Sequence, residues 1–181
     1  VHILDAKQIK FDPRWPTYFV LDPHDRRPHV GIWAKIDPFG TIYIIQEIVF
    51  KGTIECTSKE ILKRELLMRI APLSVIRVLD PNKGRTPSNV TGLILKDEFA
   101  KHAVYFTTDI NDDVATGHLA VAEKLYYDKT KPISTTNKPK IFFVREGTKF
   151  VVKQVQTYVW SDHKSSELSK KEKPKDVNKD A

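Results

Sequence analysis

Val20-Leu21-Asp22-Pro23 and Val78-Leu79-Asp80-Pro81 end two separate apolar runs of this chain in the same way. A proline removes the next backbone donor, so each run reads as a strand that stops there and leaves its carboxylate at the carboxyl end. If the two strands are neighbours, both carboxylates meet at one sheet edge. Carboxylates that close repel one another unless something positive lies between them. Mg²⁺ or Mn²⁺ suits the position, because hard cations take oxygen ligands. Asp-Pro is also a plain strand-to-turn signal, and Asp37-Pro38-Phe39-Gly40 reads as only that. On spacing alone, Asp22 and Asp80 have both readings open.

The elements around the two aspartates set their relationship. Tyr18 to Asp22 is a first strand, His29 to Ile36 a second and Thr41 to Phe50 a third, the last rich in Ile, Val and Tyr. The short turn at 37–40 makes the last two an antiparallel hairpin. Thr57-Ser58-Lys59-Glu60 has the form of a capping box, and Ile61, Leu62, Leu66 and Ile70 then recur at helical spacing until Pro72. Ser74 to Asp80 is a fourth strand. With a helix between, it is expected parallel to the first. Strand, strand, strand, helix, strand is the ribonuclease H-like order, in which the first and fourth strands bring carboxylates together. The fold expected is therefore α/β: a central mixed sheet, its first three strands antiparallel, with helices on both faces.

Further along, Leu93 to Lys101 is a short helix candidate and Ala103 to Thr107 a strand candidate. Asp109 to Tyr127 reads as an amphipathic helix with Val114, His118, Val121 and Leu125 on one face. Ile141 to Val144 is one more strand, and Thr148 to Tyr158 a last helix or extended segment. After Trp160 the chain turns Ser/Lys/Glu-rich, with six lysines and five acids from Ser161 to Ala181. Such a segment buries too little apolar area to offset its ordering entropy. One domain over 1–160 and a flexible charged tail over 161–181 are expected.

Thirty Lys and Arg against 23 Asp and Glu leave a net charge of +7, which favours polyanionic partners. No run approaches the roughly 20 apolar residues of a membrane span, so no membrane association is expected. The lone Cys56 excludes an internal disulfide and a multi-cysteine zinc site, and fits a reducing compartment. It has no neighbouring histidine in sequence and reads as structural. No Gly-x-Ser-x-Gly elbow is present. The start at Val1 and the lysine-rich end suggest a piece of a longer protein.

Several segments together resemble the nuclease domain of the large terminase subunits of tailed bacteriophages. They are Tyr18-Phe-Val-Leu-Asp22-Pro23, Gly40-Thr-Ile-Tyr-Ile-Ile-Gln-Glu47 and Asp80-Pro81-Asn82, then Phe106 with Asn111-Asp112, Lys138-Pro139-Lys140-Ile141 and Tyr158-Val159-Trp160. The resemblance runs in order over nearly the whole chain; no single motif carries it. It implies a Mg²⁺- or Mn²⁺-dependent endonuclease that cuts concatemeric double-stranded DNA by two-metal phosphodiester hydrolysis in the host cell cytoplasm. It also implies an amino-terminal packaging ATPase in the full protein, with a portal and a small terminase subunit as partners. This chain carries no Gly-x-x-x-x-Gly-Lys-Ser/Thr loop.

Asp22 and Asp80 then become metal ligands and catalytic residues. The family's third acid, in a His-x-x-Asp-like segment after the Tyr-x-Trp strand, has no clear counterpart. Asp180 is the best residue present, with Asp176, Asp162 or a ligand past Ala181 as alternatives. Arg26 and Arg27 after the first aspartate, and Lys83 and Arg85 after the second, are placed to hold DNA phosphates. Glu47 reads as a solvated strand carboxylate before a ligand, His118 as a core or boundary histidine, and Trp33 and Tyr43 as packing residues. Two rival readings remain: a catalytically inactive module that only binds DNA or a portal, and a resolvase-type nuclease of the same fold.

Overall fold

The computed structural model describes residues 2–24, 26–87, 92–111 and 113–157. Six strands form one mixed sheet: β1 (Ile3–Leu4), β2 (Thr17–Asp22), β3 (His29–Ile36), β4 (Ile42–Phe50), β5 (Val75–Leu79) and β6 (Ile141–Val144). Their spatial order is β1-β6-β4-β3-β2-β5. β2, β3 and β4 are antiparallel neighbours, β5 lies parallel to β2, and β6 lies parallel to β4 and to β1. The antiparallel trio and the parallel fourth strand match the sequence expectation. β1 is a short addition within a stretch the sequence left unassigned.

The helices are α1 (Ile54–Leu67), α2 (Pro81–Gly84), α3 (Leu95–Ala100), α4 (Val114–Leu125) and α5 (Lys149–Thr157). Two apolar clusters place the layers. Phe19, Leu21, Trp33, Ile48 and Leu79 on one sheet face pack with Ile61 of α1 and Phe99 of α3. Ala34, Ile44, Ile141 and Phe143 on the other face pack with Val151 of α5, and Leu125 of α4 adds to them. Trp33 and Phe19 are both fully buried and stack with centroids 4.1 Å apart.

A bulge in β4 sorts its side chains between these faces. Trp33 pairs with Gln46 but Ala34 pairs with Ile44, so Ile45 is the extra residue. The shift flips the alternation: Ile48 faces the first core, while Ile44 faces the second. Gly147 fits against this bulge because it lacks a side chain. A Cβ there would lie 2.2 Å from the Ile45 carbonyl oxygen.

Local expectations differ from the structure in four places. α1 begins earlier than the expected box, with Thr53 as its cap accepting from the Cys56 N–H; Thr57 is buried inside the helix and Glu60 pairs with Arg64. Cys56 is exposed in the first turn. α1 also stops at Leu67 rather than near Pro72, because Arg69 takes a left-handed conformation (φ 56°) and turns Ile70 back onto the core. Ala103–Thr107 is not a strand: Ala103 turns left-handed (φ 61°) after α3, and only Thr107 bridges to Val78 of β5. The proposed inner face of α4 is largely open, with Val114 61 % and Val121 49 % exposed, since only the helix end at Leu125 reaches the sheet. The expected domain boundary at residue 160 lies outside the described residues, as does the tail.

Candidate metal centre

The carboxyl ends of β2 and β5 build the site. β2 alternates with Thr17, Phe19 and Leu21 buried and Val20 open; β5 buries Val75, Arg77 and Leu79 and leaves Ile76 open. The parallel register sets Val20 beside Val78 and Leu21 beside Leu79. One step further, Asp22 and Asp80 fall side by side, and the Asp80 N–H donates to the Leu21 carbonyl at 3.3 Å. Strand alternation puts both carboxylates on the face of Val20 and Val78, away from the first core.

Pro81 then opens α2, with Asp80 as its cap: one carboxylate oxygen accepts the Lys83 N–H at 2.9 Å. The second Asp80 oxygen stands outside this cap, and the Asp22 side chain is 48 % exposed. Pro23 is buried. His24 folds back so that its Nε2 lies 3.4 Å from Asp22 Oδ2. The His24 backbone N–H donates to Nδ1 of buried His29 at 3.1 Å. The sequence marks His24 only as part of a polar loop; its spacing two residues past Asp22, across a proline, was the signal for this contact.

The donor set suits a hard divalent cation: oxygen ligands of two carboxylates on adjacent strand ends, on the solvent-facing side. Among the described residues, no three His, Cys, Asp or Glu side chains converge as a complete metal cage. Asp180, Asp176 and Asp162, the expected sources of a third acid, lie outside the described residues.

The remaining candidates take varied positions. Arg26 and Arg27 are exposed in the turn after Asp22, and Lys83 is exposed on α2. Arg85 donates through Nη2 to the Thr108 carbonyl at 2.6 Å and through Nε to its hydroxyl at 3.3 Å, tying α2 to the segment beside β5. Glu47 is not a freely solvated carboxylate: its two oxygens accept the Phe150 and Val151 N–H groups, each at 2.8 Å, and so fasten the start of α5. His118 is half-buried on α4. Trp33 is core, and Tyr43 stacks between Trp15 and Phe142. Asp37 is a turn residue, accepting the Phe39 and Thr41 N–H groups at 2.8 Å.

A cavity of about 450 Å³ lies at the far end of β2 and β3, lined by Asp12, Arg14, Trp15, Pro16, Ile36, Asp37 and Pro38. There, hydrogen bonds from Arg14 hold the Asp12 carboxyl down to about 2. The aspartate pair sits at the opposite strand ends, so this hollow is separate from it.

The sheet order and the helices on both faces define a domain of ribonuclease H-like α/β fold. Its fold is that of the nuclease domains of phage large terminases. The nuclease domain of the SPP1 large terminase g2p, solved with bound Mn, superposes with a TM-score of 0.64 at 16 % identity, over 97 % of this chain and 87 % of that one. The P22 large terminase nuclease domain gives 0.67 at 9 % identity, over 98 % and 80 %. The large terminase of a thermophilic bacteriophage, in complex with ADP, gives 0.69 at 16 % identity over 98 % of this chain, which spans 39 % of that protein's length. No protein-family model and no curated protein matches the sequence. No helix among the described residues is long and apolar enough to cross a membrane.

Proposed function

We propose that this chain is the nuclease domain of a phage large terminase, a Mg²⁺- or Mn²⁺-dependent endonuclease acting on concatemeric double-stranded DNA. The lateral pairing of Asp22 and Asp80 at the ends of parallel strands carries the reading. The Mn bound in the SPP1 domain of the same fold supports a divalent cation here. Asp22 and Asp80 supply oxygen donors, and Asp180 is the proposed third. Two bound cations would activate a water for in-line attack and stabilise the leaving oxygen. Arg26, Arg27, Lys83 and Arg85 would hold the phosphate backbone, which the net charge of +7 favours. In the whole protein a packaging ATPase, a portal and a small terminase subunit are the proposed partners, at work in the host cytoplasm.

Plasmid cleavage in Mn²⁺ tests this, beside Asp80→Ala and an EDTA control. Cutting that needs metal and disappears in Asp80→Ala is the expected result. DNA retardation that persists in EDTA, without cutting in Mn²⁺, would instead mark a binding-only module. A strong preference for four-way junctions over plasmid would mark a resolvase-type enzyme.

A further inference from the structure

The carboxylate of Asp22 is half-exposed at a strand end, where the backbone ladder of the sheet does not itself set how it is turned. A metal ligand needs that orientation restricted, and outer partners commonly supply the restriction. His24 is built to do so. Its backbone is held by the bond from its N–H to His29 Nδ1, and His29 is 6 % exposed at the start of β3. That bond needs an unprotonated Nδ1, which sets the neutral His29 ring as the Nε2–H form. The buried Pro23 between Asp22 and this anchor restricts the backbone through its fixed φ. The result is a His24 ring whose Nε2 is shielded from solvent and lies 3.4 Å from Asp22 Oδ2, an ion-pair contact rather than a formed hydrogen bond.

We propose that His24 is a positioning residue for Asp22: its Nε2 stands against one carboxylate oxygen at 3.4 Å and limits how the group can turn, so that the other oxygen is offered to a divalent cation shared with Asp80. The inference rests on the reading of Asp22 and Asp80 as metal ligands and adds a residue to it. A direct metal bond from Nε2 is disfavoured by its shielding, since a cation would have to displace the ring to reach it.

Mn²⁺ titration of the 181-residue chain by calorimetry, at one fixed pH, reads this without any cleavage assay. Four variants accompany the parent: Asp22→Ala, Asp80→Ala, His24→Ala and His24→Gln. Parent binding that is lost in the two aspartate variants upholds the underlying reading. His24→Ala is then expected to bind Mn²⁺ about 10- to 100-fold more weakly. His24→Gln, which keeps an N–H donor, is expected to recover most of the loss. Thermal midpoints in EDTA, alike for all, would show that the affinity change is not a folding defect. If His24→Ala binds as the parent does, or His24→Gln is no better than His24→Ala, the positioning role is overturned while the aspartate site stands. If the parent binds no Mn²⁺, or the aspartate variants bind it equally well, the underlying reading falls and the inference with it.

Discussion

Glu65 of α1 and Arg77 of β5 meet as a two-pronged ion pair inside the first core, with side chains 1 % and 4 % exposed and N–O distances of 3.0 and 2.5 Å. Trp33 Nε1 donates to the same Glu65 at 3.3 Å. The pair fastens the strand that ends in Asp80 to the helix covering it. Removing one partner leaves the other charged and buried, which costs about 3–5 kcal/mol. Arg77→Ala and Glu65→Ala are each expected to lower the unfolding free energy, read from urea curves, by an amount of that order. A shift under about 1 kcal/mol in either would show that the pair matters little to stability.

Glu47 belongs to the scaffold. Its carboxylate accepts two N–H groups at the start of α5, where negative charge is favoured. Glu47→Ala is expected to cost about 1–2 kcal/mol and to leave Mn²⁺ affinity unchanged. Denaturant unfolding and metal titration on the same sample separate the two effects, and a weakened titration would return Glu47 to the metal site.

Gly147 fits where no side chain can. In Gly147→Ala the new methyl meets the Ile45 carbonyl, so the β4 bulge or the start of α5 must move. The expected loss is about 1–3 kcal/mol, read by thermal unfolding.

Asp37 gives the stability an acid limb. Burial pushes its carboxyl up, but the hydrogen bonds from Thr41, Phe39 and Tyr43 outweigh it and hold the group below its ordinary value. A folded-state value lowered in this way stabilises fully above the ordinary carboxylate range, near about 4. That stability drains away as the pH falls through the lowered value. Asp37→Asn is therefore expected to flatten part of the fall in urea midpoint between about pH 5 and pH 2. An unchanged slope would remove Asp37 from the account.

Lys83 and Arg85 lie close together in sequence but should separate in experiment. Lys83→Ala is expected to weaken DNA binding evenly across sequences and reduce the salt slope by about 1. Arg85 is bonded to Thr108, so Arg85→Ala should also destabilise the fold, by about 1.5–3 kcal/mol. Filter binding against salt, with unfolding curves for both variants, resolves the two roles.

What the sequence by itself determined is local. The apolar runs closed by Asp22-Pro23 and Asp80-Pro81, the hairpin around Asp37-Pro38 and the order of the first four strands are all written in neighbouring residues, because strand period and proline geometry act over a few positions. The short α1 and the missing strand at Ala103–Thr107 escaped it, since left-handed residues at Arg69 and Ala103 are stabilised by how the chain turns back onto the core. The open face of α4 escaped it too, because periodicity shows that a face is apolar and not whether anything covers it. Only the tertiary structure set Asp22 beside Asp80, through a register between strands that are distant in the chain. It alone turned His24 onto Asp22, gave Glu47 to α5 and buried Glu65 with Arg77. The Asp22–Asp80, Glu47–α5 and Glu65–Arg77 meetings join separate elements, which no local pattern encodes. The His24 contact has a local signal in its spacing but needed the buried His29 to hold the loop.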